Sequence, residues 1–253
     1  MARKVRPIGH EDRLSLVEHL DELRTRLILS LIAFFVAFAL TSWQNELVLD
    51  IVNAPLPEGL EPITLGPAEP FYTTITNSAY AAILISLPVI LYQLYAFVLP
   101  AFSPTERKVA LPLLMLVPVL FIGGVLFCYF VVLGPAIDFL LNFNKDQFNT
   151  QIRARDYYSF VTLTLAAMGL GFQVPVGILV ACRLGITTPQ KLRKSRGYAL
   201  VGIAVLAALL PTIDPVTLIL EIIPIYALYE LSIILASVLG RPSPEVREQM
   251  SAS

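Results

Sequence analysis

Six apolar runs separated by polar turns leave this chain few ways to fold. Five of them, at 27–43, 71–99, 109–133, 159–182 and 216–239, come close to or exceed the about 20 residues that a helix needs to cross a bilayer core. The sixth, at 197–210, is about 14 residues, or ~21 Å as a helix, and on length alone it could be buried or re-entrant. Composition points the same way: 56% of the 253 residues are apolar or aromatic and 15% are charged, against about a quarter charged in soluble chains. That balance argues against a soluble enzyme and excludes disorder. The net charge of −1 offers no global field for nucleic acid, and no nucleic-acid partner is expected.

The placement of basic residues orients the spans, because Lys and Arg concentrate on cytoplasmic flanks. Arg3, Lys4, Arg6, Arg13, Arg24 and Arg26 precede the first run, and no Lys or Arg follows until Arg107. The stretch between the first two runs instead carries Glu46, Asp50, Glu58, Glu61 and Glu69, which places it outside. With six spans, 15 of the 18 basic residues fall inside. The other three, Lys145, Arg153 and Arg155, share an outer loop with Asp138, Asp146 and Asp156. If the short run did not cross, the tail with Arg241 and Arg247 would lie outside. The reading is an all-α polytopic membrane protein of six transmembrane helices with both termini inside. It forms one domain over 1–253, with a polar segment 1–26, a bundle 27–239 and a tail 240–253. The first 26 residues are too polar for a signal peptide. The halves share neither loop lengths nor motif spacing, which weakens an inverted-repeat transporter.

Scarce residues narrow the chemistry. His10 and His19 both precede the first run, so no buried histidine pair is available for haem or an intramembrane metal. No metal site, cofactor or catalytic residue is expected. Cys128 and Cys182 lie near opposite ends of different runs, and the expectation is two free thiols packed as small hydrophobes.

Two polar features face the inside. Ser15-Leu-Val-Glu18 has the spacing of a capping box that would start a helix, and Leu16, Leu20, Leu23 and Leu27 follow as one apolar stripe. Glu18 and Glu22 fall on the opposite face, one turn apart, so the helix is expected along the inner interface with its leucines down. The bland alternative for Glu22 is pairing with Arg26 at i, i+4. The second feature is the loop Phe97-Val-Leu-Pro-Ala-Phe-Ser-Pro-Thr-Glu-Arg-Lys108, where Ser103 and Glu106 repeat the capping-box spacing and Pro104 suits the first helical position. Glu106 is the lone acid of that loop. It and Glu22 are candidates to converge on one cationic ligand, and guanidinium matches paired carboxylates better than ammonium does.

These residues, taken in order, resemble the TatC family, the multispanning subunit of the twin-arginine protein translocase. The resemblance is carried by His19-Leu-Asp-Glu-Leu-Arg-Thr-Arg26, Ala54-Pro-Leu56, Pro70-Phe71, Pro88-Val-Ile-Leu-Tyr-Gln93, Ala96-Phe97 with Pro100, and Glu106-Arg107. It continues through Tyr129-Phe-Val-Val132, Val174-Pro-Val176, the Gly185-Ile-Thr187 to Arg196 loop, Asp214, and Pro224 to Glu230. It implies a receptor for Arg-Arg signal peptides of folded cargo, exported under the proton-motive force across a bacterial-type cytoplasmic membrane. By motif, Glu22 and Glu106 would contact the arginine pair, with Arg24 and Phe97 shaping the surface and Glu18 and His19 beside them. Pro55, Phe71 and Asp214 match outer positions with structural or partner roles. The resemblance also implies short fifth and sixth helices that dock single-span TatA- and TatB-type subunits, and self-association in the receptor complex. Three positions depart from the family pattern. Gln173 stands where an acid is usual before Val-Pro, keeping hydrogen bonding and losing the ionisable group. Arg107-Lys108 replaces two arginines, and Pro211-Thr-Ile213 replaces adjacent prolines.

Gln173, Glu221 and Glu230 lie at membrane depth, where a lipid-facing carboxylate is penalised by about 2.5 kcal/mol or more. They should face protein or a wet concavity, which Asn77 and Ser78 could extend. Gln173 reads either as a polar site or as a helix-to-helix bond. For Glu230 the bland alternative is a packed, protonated side chain. A solute transporter using these three groups lacks an intramembrane Lys or Arg partner for the acids, and an intramembrane enzyme lacks a nucleophile motif.

Overall fold

A computed structural model describes the backbone at 10–98, 104–147, 150–183, 185–208 and 214–239, and the side chains over the same residues except 10–18, 104–113, 206 and 238–239. The order is α1 (His10–Trp43), α2 (Asn45–Asn53), α3 (Glu69–Val98), α4 (Pro104–Phe127), a π-helical turn (Cys128–Val132), α5 (Leu133–Asn142), α6 (Ala154–Gly171), α7 (Val174–Arg183), α8 (Pro189–Lys194), α9 (Arg196–Ala208) and α10 (Pro215–Leu239). Five stretches are long and apolar enough to cross a membrane, and Arg196–Val205 adds a shorter apolar helix. α10 has 25 residues, so the shortness expected of the last two spans resides in α9.

The helix α1 runs unbroken for 34 residues, about 51 Å, from His10 into the apolar run. Two expectations are thereby corrected. Ser15 lies inside the helix rather than at its start, since His10 to Leu14 holds no breaker and its acids suit a helix N-terminus. The leucine-striped segment does not turn to lie along an interface, because neither Gly nor Pro separates it from the span. Leu20, Leu23 and Leu27 are exposed on this extension.

α1 lies chiefly on α3, α3 on α4 and α6, α4 on α6, and α10 on α7 and α9. The main core lies between the third and fourth spans, where Cys128, Val132, Leu133 and Ala136 meet Tyr157, Val161, Leu165 and Met168. Both cysteines are free and buried, as expected. Close approach of α4 and α6 depends on glycine: a Cβ at Gly169 would sit 2.6 Å from the Phe121 ring, and one at Gly124 would sit 2.8 Å from the Met168 carbonyl oxygen.

The third span outlasts its predicted end at Leu133, continuing through the π turn and α5 to Asn142. Tyr129, within that turn, donates its hydroxyl to the Ile51 carbonyl at 2.8 Å, and Tyr157 donates to Val52 at 2.7 Å. These bonds satisfy the last carbonyls of α2. The fourth span is interrupted at Phe172 and Gln173, between α6 and α7. Pro175 has no amide hydrogen for the Gly171 carbonyl, which is the sequence cause of the break. Between α2 and α3, Ile63 pairs with Arg153 of the segment before α6 in an isolated bridge, and Arg153 Nε donates to Glu69 Oε1 at 2.6 Å.

Candidate functional site

Three residues predicted for the inner surface, His19, Glu22 and Phe97, meet Arg26 and Gln93 where α1 passes the end of α3. His19 stacks on Phe97 with ring centroids 4.2 Å apart and planes 16° from parallel. His19 Nδ1 lies 3.7 Å from Glu22 Oε2. Arg26, one turn further along, donates from Nε to Glu22 Oε1 at 3.0 Å, and its Nη2 also contacts that oxygen. The third arm crosses helices, with Arg26 Nη1 donating to Gln93 Oε1 at 3.0 Å.

The geometry follows from spacing. Positions 19, 22 and 26 recur at three and four residues, so they share one face of α1. Gln93 and Phe97, four apart, share one face of α3. The result is a carboxylate with one oxygen held by Arg26 and the other lying toward His19. Such a group can accept further donors only at the second oxygen unless Arg26 moves. Glu22 thus takes the Arg26 pairing weighed for it as the bland alternative. Arg24 is exposed, two residues from Glu22 on the same helix. Glu106 occupies the first turn of α4, but its side chain and that of Glu18 lie outside the described residues.

At depth, Gln173 is 6% exposed and donates Nε2 to the Val117 carbonyl at 3.1 Å. Its Oε1 finds no hydrogen-bond partner among the described residues, nor do Asn77 and Ser78 of α3. Glu221 is 3% exposed and borders a cavity of about 270 Å³ with Met168, Gly171, Val174, Ile203 and Ile225. Glu230 corrects the expectation that the membrane acids lack a basic partner: Arg196 Nη2 donates to Glu230 Oε2 at 2.7 Å, and Tyr226 donates to Oε1 at 3.2 Å. The pairing follows from helix length. α9 is only 13 residues, about 20 Å, so its first residue reaches the depth of Glu230, about 23 Å along α10.

The outer positions separate by role. Asp214 Oδ1 accepts from the Thr217 amide at 2.7 Å and so caps α10, with Pro215 at the first helical position. Phe71 is 65% exposed beside Tyr72, and Pro55 is half-buried just past α2. Gln93 belongs to the Pro88 to Gln93 motif, which by itself assigns it no role. Its long-range partner leaves no local trace in the chain, whereas the Glu22 to Arg26 spacing does.

A polytopic helical membrane protein, with a charged cluster where its long first helix crosses the second span, is the class that fold and site define. Residues 18–224 match the family model "Sec-independent protein translocase protein (TatC)". The chain is 39% identical over 227 residues to the TatC of Escherichia coli K12, covering 88% of each. It is 36% identical to that of Aquifex aeolicus, covering 92% of this chain and 99% of the relative. A solved structure described as "Twin Arginine Translocase Receptor- TatC" superposes with a TM-score of 0.77 at 36% identity, covering 88% of this chain and all of that one. The chain belongs to the TatC family. It is a membrane subunit of Sec-independent protein translocation, and the family is not an enzyme family.

Proposed function

We propose that this protein is the receptor that binds the Arg-Arg signal peptide of folded cargo, with Glu22 and Glu106 as the carboxylates that take the arginine pair. The observation that carries the reading is Glu22 itself: an acid at an aqueous helix surface, already shaped to hold a guanidinium and walled by the His19 and Phe97 stack. Only five residues separate Val98 from Pro104, which keeps the first turn of α4, with Glu106, near that wall. Arg24 adds a charge that orients the peptide, and Glu18 extends the acidic face. The site faces the cytoplasm, with both termini inside and the chain in a bacterial-type inner membrane, as the basic residues direct.

Assembly belongs to the other end of the chain. Single-span TatA- and TatB-type subunits dock along α9 and α10, where Val201, Val205, Ile219 and Ile223 present an exposed apolar surface beside the Glu221 cavity. Transport then draws on the proton-motive force, and receptor copies self-associate. Residues 1–253 act as one domain. A titration tests the recognition step: an Arg-Arg peptide is expected to bind the purified protein more tightly than its Lys-Lys counterpart. Equal affinities would remove the argument from carboxylate geometry.

A further inference from the structure

We infer that Arg26 is a displaceable internal competitor for the cargo arginine, and that Gln93 is its alternative acceptor. The inference rests on the reading of Glu22 as a cargo contact. Arg26 makes two bonds to one oxygen of Glu22 and a third to Gln93 on the neighbouring helix. Glu22 Oε2 is left open, with His19 3.7 Å away and beyond hydrogen-bond length. An incoming guanidinium can therefore dock on Oε2 at once, but the two-oxygen fork that favours Arg over Lys needs Oε1 as well. Oε1 becomes available only when Arg26 swings away. Gln93 makes the swing possible, because its amide oxygen already accepts from Nη1 and keeps one bond to the charged group as the other two break.

Three consequences follow from the geometry. Arg26 lowers cargo affinity, since its bonds to Glu22 must be given up and its charge repels the arriving arginine. It acts on arginine peptides more than on lysine peptides, because an ammonium needs only one oxygen. Gln93 opposes Arg26, since without it the guanidinium has no second acceptor. Both residues are positioning residues: their effect on cargo passes through Glu22. The arrangement holds the receptor short of its tightest binding and so favours release of cargo into later steps.

The experiment is a titration of labelled Arg-Arg and Lys-Lys peptides against the full-length protein in nanodiscs. R26Q is expected to tighten Arg-Arg binding about two- to fivefold, the range of a partly exposed ion pair, and to tighten Lys-Lys binding less. R26K, whose ammonium makes a single bond, should move the same way by a smaller factor. Q93L should weaken Arg-Arg binding, and that loss should vanish in the R26Q/Q93L double variant. In an E22Q background the gain from R26Q should shrink to the part that comes from charge repulsion, equal for Arg-Arg and Lys-Lys peptides. Unchanged or weaker Arg-Arg binding by R26Q, while E22Q binds more weakly than wild type, would overturn the competitor role alone. An E22Q protein that binds like wild type would instead remove the recognition reading beneath it.

Discussion

His19 lies flat on Phe97, and together with the Arg26 bond to Gln93 this contact ties the extension of α1 to the end of α3. Stacked rings of this kind contribute about 0.5–1.5 kcal/mol beyond area burial. Glu22 is one turn from His19, so its position depends on that clasp. Phe97→Ala is expected to leave the helical bundle folded and to weaken Arg-Arg peptide binding several-fold, whereas Phe97→Tyr should bind nearly as well. Paired peptide titrations and circular dichroism of the two variants check this.

Contact between α4 and α6 is set by Gly169. A Cβ there meets the Phe121 ring at 2.6 Å, and the ring is itself 1% exposed and unable to retreat. Gly169→Ala is expected to destabilise by about 1–3 kcal/mol, as overpacked cores do. Adding Phe121→Leu should recover part of the loss, and thermal unfolding of the detergent-solubilised protein measures both.

Arg196 and Glu230 join α9 to α10 through a pair that is half-exposed on the arginine side. Removing either partner should lower stability by about 1 kcal/mol or less. The Arg196→Gln and Glu230→Gln double variant should lose little more than either single change, a coupling read from a double-mutant cycle. Fully additive losses would mean that the pair does not hold the two helices together.

Gln173 contributes one bond, to a Val117 carbonyl that serves its own helix as well, and leaves Oε1 unpaired among the described residues. Replacing it with leucine removes a bond worth about 1 kcal/mol and also removes the buried orphan oxygen. Gln173→Leu is therefore expected to change stability by less than about 1 kcal/mol. A defect in export of a folded reporter without a stability defect would assign Gln173 to transport rather than to helix packing.

The spans were legible because lipid-crossing helices must be apolar over a set length, and that requirement is written locally at 27–43 and 71–99 as well as in the short run at 197–210. Helix ends were harder. Ser15 has the spacing of a cap yet sits within α1, since a capping pattern competes with whatever helix formers precede it. Much of the candidate site is also visible in the sequence: Glu22, His19 and Phe97 lie in the motifs of the first helix and the first inner loop, and the Glu22 to Arg26 spacing is local. Arg26 to Gln93 and Arg196 to Glu230 were not visible, because they depend on which helices are neighbours and how deep each begins. The pairing of Glu230 in particular needs the short length of α9 to be converted into a depth.

The central claim is that Glu22 and Glu106 take the arginine pair of the cargo. Its most direct measurement is the affinity of an Arg-Arg signal peptide for the purified wild-type protein, Glu22→Gln and Glu106→Gln under one salt condition. Each substitution is expected to weaken binding about tenfold or more, as loss of a charge-assisted bond requires. Three equal affinities would contradict the assignment.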